Sequence, residues 1–226
     1  MQPIVLNDIA FQPTPKDIQH VLDTKVGQSS ADAITRMIGE VQGFAKPKAM
    51  YRVVSCEAVG DDRVKLDGQL FNSRVLRVNL DEVHRAFPFV ATCGEELQAW
   101  MDSIDNILDN YYADVINGMA LDAARNSLGV HLEERYRLGR TACMHPGSLE
   151  DWPIQAQRPL FALIGNPEES IGVRLLDSLL MHPGQSVSGI HFQTESDFKS
   201  CQMCPREKCP NRMSPYDEEL YARRFS

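Results

Sequence analysis

Between Glu95 and about Leu128 the apolar residues Leu97, Met101, Ile104, Leu108, Tyr111, Val115 and Met119 recur every three or four positions. No other stretch constrains the fold as strongly, because this spacing puts them on one face of a single long helix, and that face needs an apolar cover. The preceding segments supply one. Tyr51 to Cys56 reads as a strand and Asp61-Asp62 as a turn, and Arg63-Val64-Lys65-Leu66 alternates polar with apolar before the Asp67-Gly68 turn signal. Val75, Val78 and Leu80 continue the extended reading toward Phe87-Pro88-Phe89-Val90-Ala91-Thr92, an apolar run closed by Cys93-Gly94. Upstream, to about Phe44, two short helical patterns flank the Gly27 to Ser30 break. Ser30 is placed to cap the second, which carries Ala33, Ile34, Met37, Ile38 and Val41. The expectation is an α+β fold with an at least partly antiparallel sheet. It divides into an N-terminal helical segment (1–48), a core (49–198) and a cysteine-bearing extension (199–226).

Charge narrows the function. The chain carries 23 Lys and Arg against 31 Asp and Glu, a formal net charge of −8, which opposes general binding to nucleic-acid phosphates. No segment approaches the ~20 apolar residues that cross a bilayer, and Met1 to Gln12 has neither the basic start nor the apolar run of a secretory signal. A cytoplasmic protein with no membrane association is expected. No Lys or Arg occurs between Arg85 and Arg125, whereas Glu95, Glu96, Asp102, Asp105, Asp109, Asp114 and Asp122 do. That is a solvated acidic face or a docking surface for a basic partner.

Of six cysteines, Cys201, Cys204 and Cys209 crowd together near the end. The spacing is C-x₂-C-x₄-C-P, and in a cytosolic chain such clustering points to metal ligation rather than disulfides. Two thiolates separated by two residues bend round one ion or cluster corner, and the third returns after a short loop. Arg206, Lys208 and Arg212 add positive charge that favours thiolates. Cys-Pro at the third position places an iron–sulfur cluster ahead of zinc. Three ligands do not close a tetrahedral site, which leaves either a fourth ligand or an open coordination position. Cys143, in another irregular loop, is the first candidate, with Cys93, Cys56 and His191 behind it.

Two further stretches have the composition of binding loops, and for the first a structural turn fits that composition at least as well. Arg140-Thr141-Ala142-Cys143-Met144-His145-Pro146-Gly147 is a Gly/Pro turn led by a guanidinium fork suited to a carboxylate. Met181-His182-Pro183-Gly184-Gln185-Ser186-Val187-Ser188-Gly189 leads into an extended strand in which Gly189 permits close approach of another backbone or a flat ligand. No nucleophile elbow, P-loop or dinucleotide fingerprint is present, so no catalytic residue is nominated.

Taken in order, Arg140 with Pro146-Gly147, then Ile171-Gly172-Val173-Arg174-Leu175-Leu176-Asp177-Ser178, then Met181 to Gly189, resemble the activation domain of cobalamin-dependent methionine synthase. A looser similarity reaches back to Phe89-Val90-Ala91-Thr92-Cys93-Gly94, and the chain looks like stand-alone short relatives that end in a cysteine cluster. The interval from Arg140 to Pro146-Gly147 is longer than the family's Arg-x-x-Pro-Gly, and Ser148 stands where an aromatic usually follows. The resemblance implies a twisted, mainly antiparallel sheet with flanking helices. It also implies S-adenosylmethionine as ligand, with Arg140 on the methionine carboxylate and the main chain around Ala142, Pro146 and Gly147 as a cradle. Ser186, Ser188 and Gly189 complete the candidate ligand site, and Cys201, Cys204, Cys209 and Cys143 the candidate metal site. The implied role is that of an accessory protein in reductive reactivation of a corrinoid protein or cobalamin-dependent methyltransferase. The competing expectation is a non-enzymatic, zinc-stabilised protein-interaction module.

Overall fold

The computed structural model describes residues 2–22, 28–194, 200–206, 208, 212 and 214–225. In chain order these form β1 (Ile4–Leu6), α1 (Pro15–Leu22), α2 (Gln28–Val41), β2 (Lys48–Tyr51), β3 (Val54–Val59), β4 (Arg63–Leu66) and β5 (Gln69–Asn72). There follow α3 (Arg74–Asn79), β6 (Arg85–Thr92), α4 (Glu95–Asp102), α5 (Ile107–Tyr136), β7 (Thr141–Met144), α6 (Gln157–Ile164) and α7 (Pro167–Ile171). The chain closes with β8 (Arg174–Leu175), β9 (Met181–His182), β10 (Ser186–Gln193), a 3₁₀ turn (Ser200–Met203) and α8 (Leu220–Phe225). Eight strands make one antiparallel sheet, and β8 and β9 form a separate ribbon. The fold is therefore α+β, as expected.

The sheet is organised by β6. On one side it pairs with β2 and β3, and on the other with β10 from Ser186↔Thr92 to Phe192↔Ala86. The apolar run that marked this strand is apolar on both faces because both are covered. Ala86 and Val90 join a core with Val54, Phe71, Trp152, Leu160 and Ile164, while Phe87, Phe89 and Ala91 pack on Ala124, Leu128 and Leu132 of α5. A third cluster sets Ile18 of α1 and Ile34, Met37, Ile38 and Val41 of α2 against Leu97, Tyr112, Ile116 and Ala120. Each fully buried Leu, Ile or Phe contributes about 1.5–3 kcal/mol, so these three clusters hold the layers together. The Asp67-Gly68 turn is a two-residue hairpin between Leu66 and Gln69, with φ of 45° and 86°. Paired positive φ values match the twist of the flanking strands.

Four local expectations change. The expected single helix from Glu95 to Leu128 is two helices, and the second continues to Tyr136. Asn106 caps α5 by accepting from Leu108 N and Asp109 N, each at 3.0 Å, while Asn110 Nδ2 donates to Met101 O and Ile104 O at the end of α4. These two asparagines satisfy helix ends that an unbroken helix would not have. The segment carrying Val75 and Val78, read as extended, is α3, with Ser73 Oγ accepting from Leu76 N at 3.0 Å. The strand read as Tyr51 to Cys56 is interrupted at Arg52-Val53 and belongs to β2 and β3. Ser30 lies inside the first turn of α2, which begins at Gln28, and segment 1–48 also contributes the edge strand β1. Among the described residues no helix is long and apolar enough to cross a membrane.

Candidate functional site

β7 is the outer strand beside β10, with Ile190 opposite Met144 and Gln193 opposite Thr141. Along this edge opens a cavity of about 1770 Å³. Its wall is β7 and the following loop, including Arg140, Ala142, Cys143, Pro146 and Gly147. Val187, Ser188 and His191 of β10 and Arg125 of α5 face it, and Cys201, Cys204 and Arg206 lie on its far side. Arg140, Ala142, Pro146, Gly147 and Ser188 of the ligand set and Cys143, Cys201 and Cys204 of the metal set thus line one cavity. Cys209 lies outside the described residues.

A hydrogen-bonded chain orders the wall. His145 Nδ1 lies 2.9 Å from Ser188 O; a carbonyl only accepts, so Nδ1 carries the proton and Nε2 of the neutral ring accepts. Nε2 stands 3.5 Å from Cys143 Sγ, the geometry of a thiol donating to imidazole. Burial lowers the His145 pKa and, joined by the charges of His145 and Arg125, takes His191 to about 3; burial pushes the Cys143 thiol up to about 12. His191 stacks on Phe89 with ring centroids 4.7 Å apart. The wall at neutral pH is thus thiol and neutral imidazole, with the cations Arg125 and Arg140 on the same cavity and the anions Glu150, Asp217 and Glu218 also at its border.

The Pro146-Gly147 bend is anchored from below. Gly147 has φ of 82° and its N–H donates to Trp152 O at 2.8 Å, while Trp152 N–H donates to Leu149 O at 3.1 Å. Trp152 is 1% exposed and meets Phe71 edge-on at 6.4 Å. Next to it the Asp151 carboxylate accepts from Ser73 Oγ and from Arg74 N and Val75 N, holding the first turn of α3. A carboxylate at a helix N-terminus is favoured there, so Asp151 is committed to the scaffold although it borders the cavity.

Other nominated residues have different surroundings. Ser186 Oγ is held between Pro183 O at 2.8 Å and Thr92 Oγ1 at 2.9 Å, and it is absent from the cavity lining. Gly189 is absent from the lining too, and its close neighbour is another backbone: an added Cβ would meet Met144 O at 2.6 Å and His145 Nδ1 at 2.7 Å. Gly189→Ala is expected to cost about 1–3 kcal/mol in urea unfolding, since neither the β7 carbonyl nor the tethered imidazole can withdraw. Unchanged stability would mean that β7 is free to move away.

Cys201 and Cys204 sit at the 3₁₀ turn, closed by Cys204 N donating to Cys201 O at 3.3 Å. The Arg212 guanidinium gathers the carbonyls of Cys201, Cys204 and Ser214, each at 3.1 Å, and that of Arg206. Arg212, considered in the sequence for its charge, therefore organises the backbone of the cysteine turn. Met203, Cys204 and Leu220 pack against the main core. Among the described residues no group of three His, Cys, Asp or Glu is arranged to hold a metal ion, and Cys143 is engaged with His145. Of the alternative fourth ligands, Cys93 is buried and Cys56 half-buried, burial pushes both thiols up to about 12, and neither lines the cavity.

Gln157 and Arg125 are the residues that sequence reading passed over. Gln157 lies in a run with no motif around it. Arg125 had a faint signal as the first cation after a long acidic stretch. The acidic residues themselves are largely spoken for: Asp109 pairs with Arg36 at 3.2 Å, Glu96 with Lys48 at 3.6 Å, and Asp114 accepts from Gln185 Nε2 at 2.9 Å.

No family model matches the chain, and no curated protein matches it in sequence. Among solved structures it is similar to a crystal structure of the MetH reactivation domain bound to AdoHcy. The TM-score is 0.66 at 15% identity, covering 87% of this chain and 81% of that one. The antiparallel sheet with its flanking helices is thus the fold of the MetH reactivation domain.

Proposed function

We propose that the cavity beside β7 and β10 binds S-adenosylmethionine, and that the chain supports reductive reactivation of a corrinoid protein. The observation that carries this reading is the convergence of Arg140, Pro146-Gly147 and Ser188 on one cavity, in a chain folded like a domain solved with AdoHcy. Arg140 offers a planar fork for the ligand carboxylate. The sulfonium cation meets His145 and His191 as neutral rings, because burial keeps both unprotonated at pH 7. A positive imidazolium there would repel it.

The reaction balances as follows. One electron reduces Co(II) of the partner's corrinoid to Co(I). The Co(I) electron pair then attacks the S-methyl carbon, the carbon–sulfur bond breaks, and methyl-Co(III) and S-adenosylhomocysteine result. The thiols of Cys201, Cys204 and Cys209, with Cys143 on the same cavity as the first two, are the groups that would hold an iron–sulfur cluster. Such a cluster would supply single electrons, whereas zinc on the same thiols would be structural. Elemental analysis and visible spectroscopy after anaerobic reconstitution separate the two.

The test of the function uses methyl-labelled S-adenosylmethionine, free cob(II)alamin and a low-potential reductant. The expected result is label in methylcobalamin, with one S-adenosylhomocysteine formed per methyl transferred and a rate well above the protein-free control. A rate equal to that control contradicts the proposal. One observation favours the alternative of a non-enzymatic interaction module: Ile107 is 89% exposed, and Leu108 and Tyr111 are more than half exposed, at the acidic start of α5. Such a module would bind neither S-adenosylmethionine nor cobalamin.

A further inference from the structure

Gln157 opens α6 and is 3% exposed, yet it borders the cavity. Its Nε2 donates to Ser188 Oγ at 3.2 Å. Its Oε1 is buried and has no hydrogen-bond partner among the described residues. The neighbouring acceptor, Ser188 O, is already taken by His145 Nδ1. A buried amide oxygen left unpaired on a cavity wall is an acceptor awaiting a donor from whatever enters.

The sheet register says which end of a ligand arrives there. Arg140 O accepts from Thr194 N, just past the end of β10, whereas Ser188 lies six residues earlier on that strand, about 20 Å away along an extended backbone. Arg140 and Gln157 therefore mark opposite ends of the wall. An amino-acid nucleoside with its carboxylate on Arg140 keeps its α-ammonium at that end, because the two groups share one carbon. Its base reaches toward Gln157.

We propose that Gln157 Oε1 accepts a hydrogen bond from the exocyclic amine of an adenine base, making Gln157 a residue that determines base specificity. This inference rests on the cavity being the S-adenosylmethionine site. Ser188 Oγ positions the amide.

The experiment measures binding of S-adenosylhomocysteine, its 6-deamino purine analogue and 5′-methylthioadenosine to the intact chain, to Gln157→Leu and to Gln157→Glu. Wild type is expected to prefer the adenine ligand over the purine analogue by about 10- to 100-fold. Gln157→Leu is expected to lose that preference, and to weaken methylthioadenosine by the same factor, since that ligand keeps the amine but lacks the α-ammonium. Gln157→Glu, which keeps an acceptor oxygen, is expected to keep the preference. If Gln157→Leu retains the preference, or leaves methylthioadenosine binding unchanged, the assignment is overturned while the site stands. Loss of the preference in Gln157→Glu also overturns it, because the reading group would then be the amide N–H. Wild type binding none of the three ligands overturns the site itself.

Discussion

Trp152→Ala is expected to lower the unfolding free energy by about 3–5 kcal/mol, the largest loss that a single truncation near the cavity should produce. The indole is 1% exposed, packs edge-on against Phe71, and belongs to the core that contains Val90, Leu160 and Ile164. Little can collapse into its place, because the surrounding side chains come from β5, β6 and α6 and are fixed by their own elements. The Trp152 backbone carbonyl and N–H also close the Pro146-Gly147 bend; alanine keeps those groups but loses the indole that fixes them in the core, so the mutant should loosen the cavity wall as well. Trp152→Phe is the informative companion. Indole Nε1 has no partner among the described residues, so the smaller ring forfeits no hydrogen bond and should cost about 1–2 kcal/mol through lost volume alone. Urea unfolding with an unchanged slope reads both values. A loss under about 1 kcal/mol for Trp152→Ala would mean that the bend is held by something other than this anchor.

Arg140→Met is expected to weaken S-adenosylmethionine binding by about 10- to 100-fold. Hydrogen bonds to a charged group are worth about 1.5–3 kcal/mol, and Arg140 is exposed on the cavity rim. Methionine keeps the length and apolar stem and removes only the fork. Arg140→Lys should recover part of the loss, because an ammonium attracts a carboxylate without matching its two oxygens. Titration calorimetry resolves the three proteins. Equal affinities would remove the carboxylate from Arg140 and turn the ligand round in the cavity.

The sheet was legible in the sequence where burial is two-sided or a turn demands special backbone angles. Phe87 to Thr92 and Asp67-Gly68 are the clearest cases. The α4–α5 break was hidden because the apolar spacing runs straight through it. Leu108 and Tyr111, read as part of the buried stripe, are exposed, while the buried face of α5 is made by Tyr112, Ala113, Ile116, Ala120 and Ala124. Alanine contributes little to an apolar pattern, yet it lets a helix lie close to a sheet. The segment with Val75 and Val78 misled for a different reason. Its helix is secured by Asp151, a partner more than seventy residues away.

The cavity was legible as two loops and a cysteine turn, each identified from its composition. Their meeting was not, because it depends on β7 pairing with β10 and on the packing of Met203 and Cys204 against the core. Ser186 and Gly189 share a sequence block with Ser188, but each is engaged elsewhere: the Ser186 hydroxyl ties Thr92 to Pro183, and Gly189 makes room for the Met144 carbonyl. Gln157 carries no motif. Only the fold shows that its oxygen is buried with no hydrogen-bond partner among the described residues.

Calorimetric titration of the intact, anaerobically purified chain with S-adenosylmethionine tests the central claim most directly. The account predicts saturable one-to-one binding that Arg140→Met weakens and Trp152→Phe leaves in place. Absence of heat, together with no shift in thermal unfolding at millimolar ligand, would contradict it and leave the cavity to a different occupant.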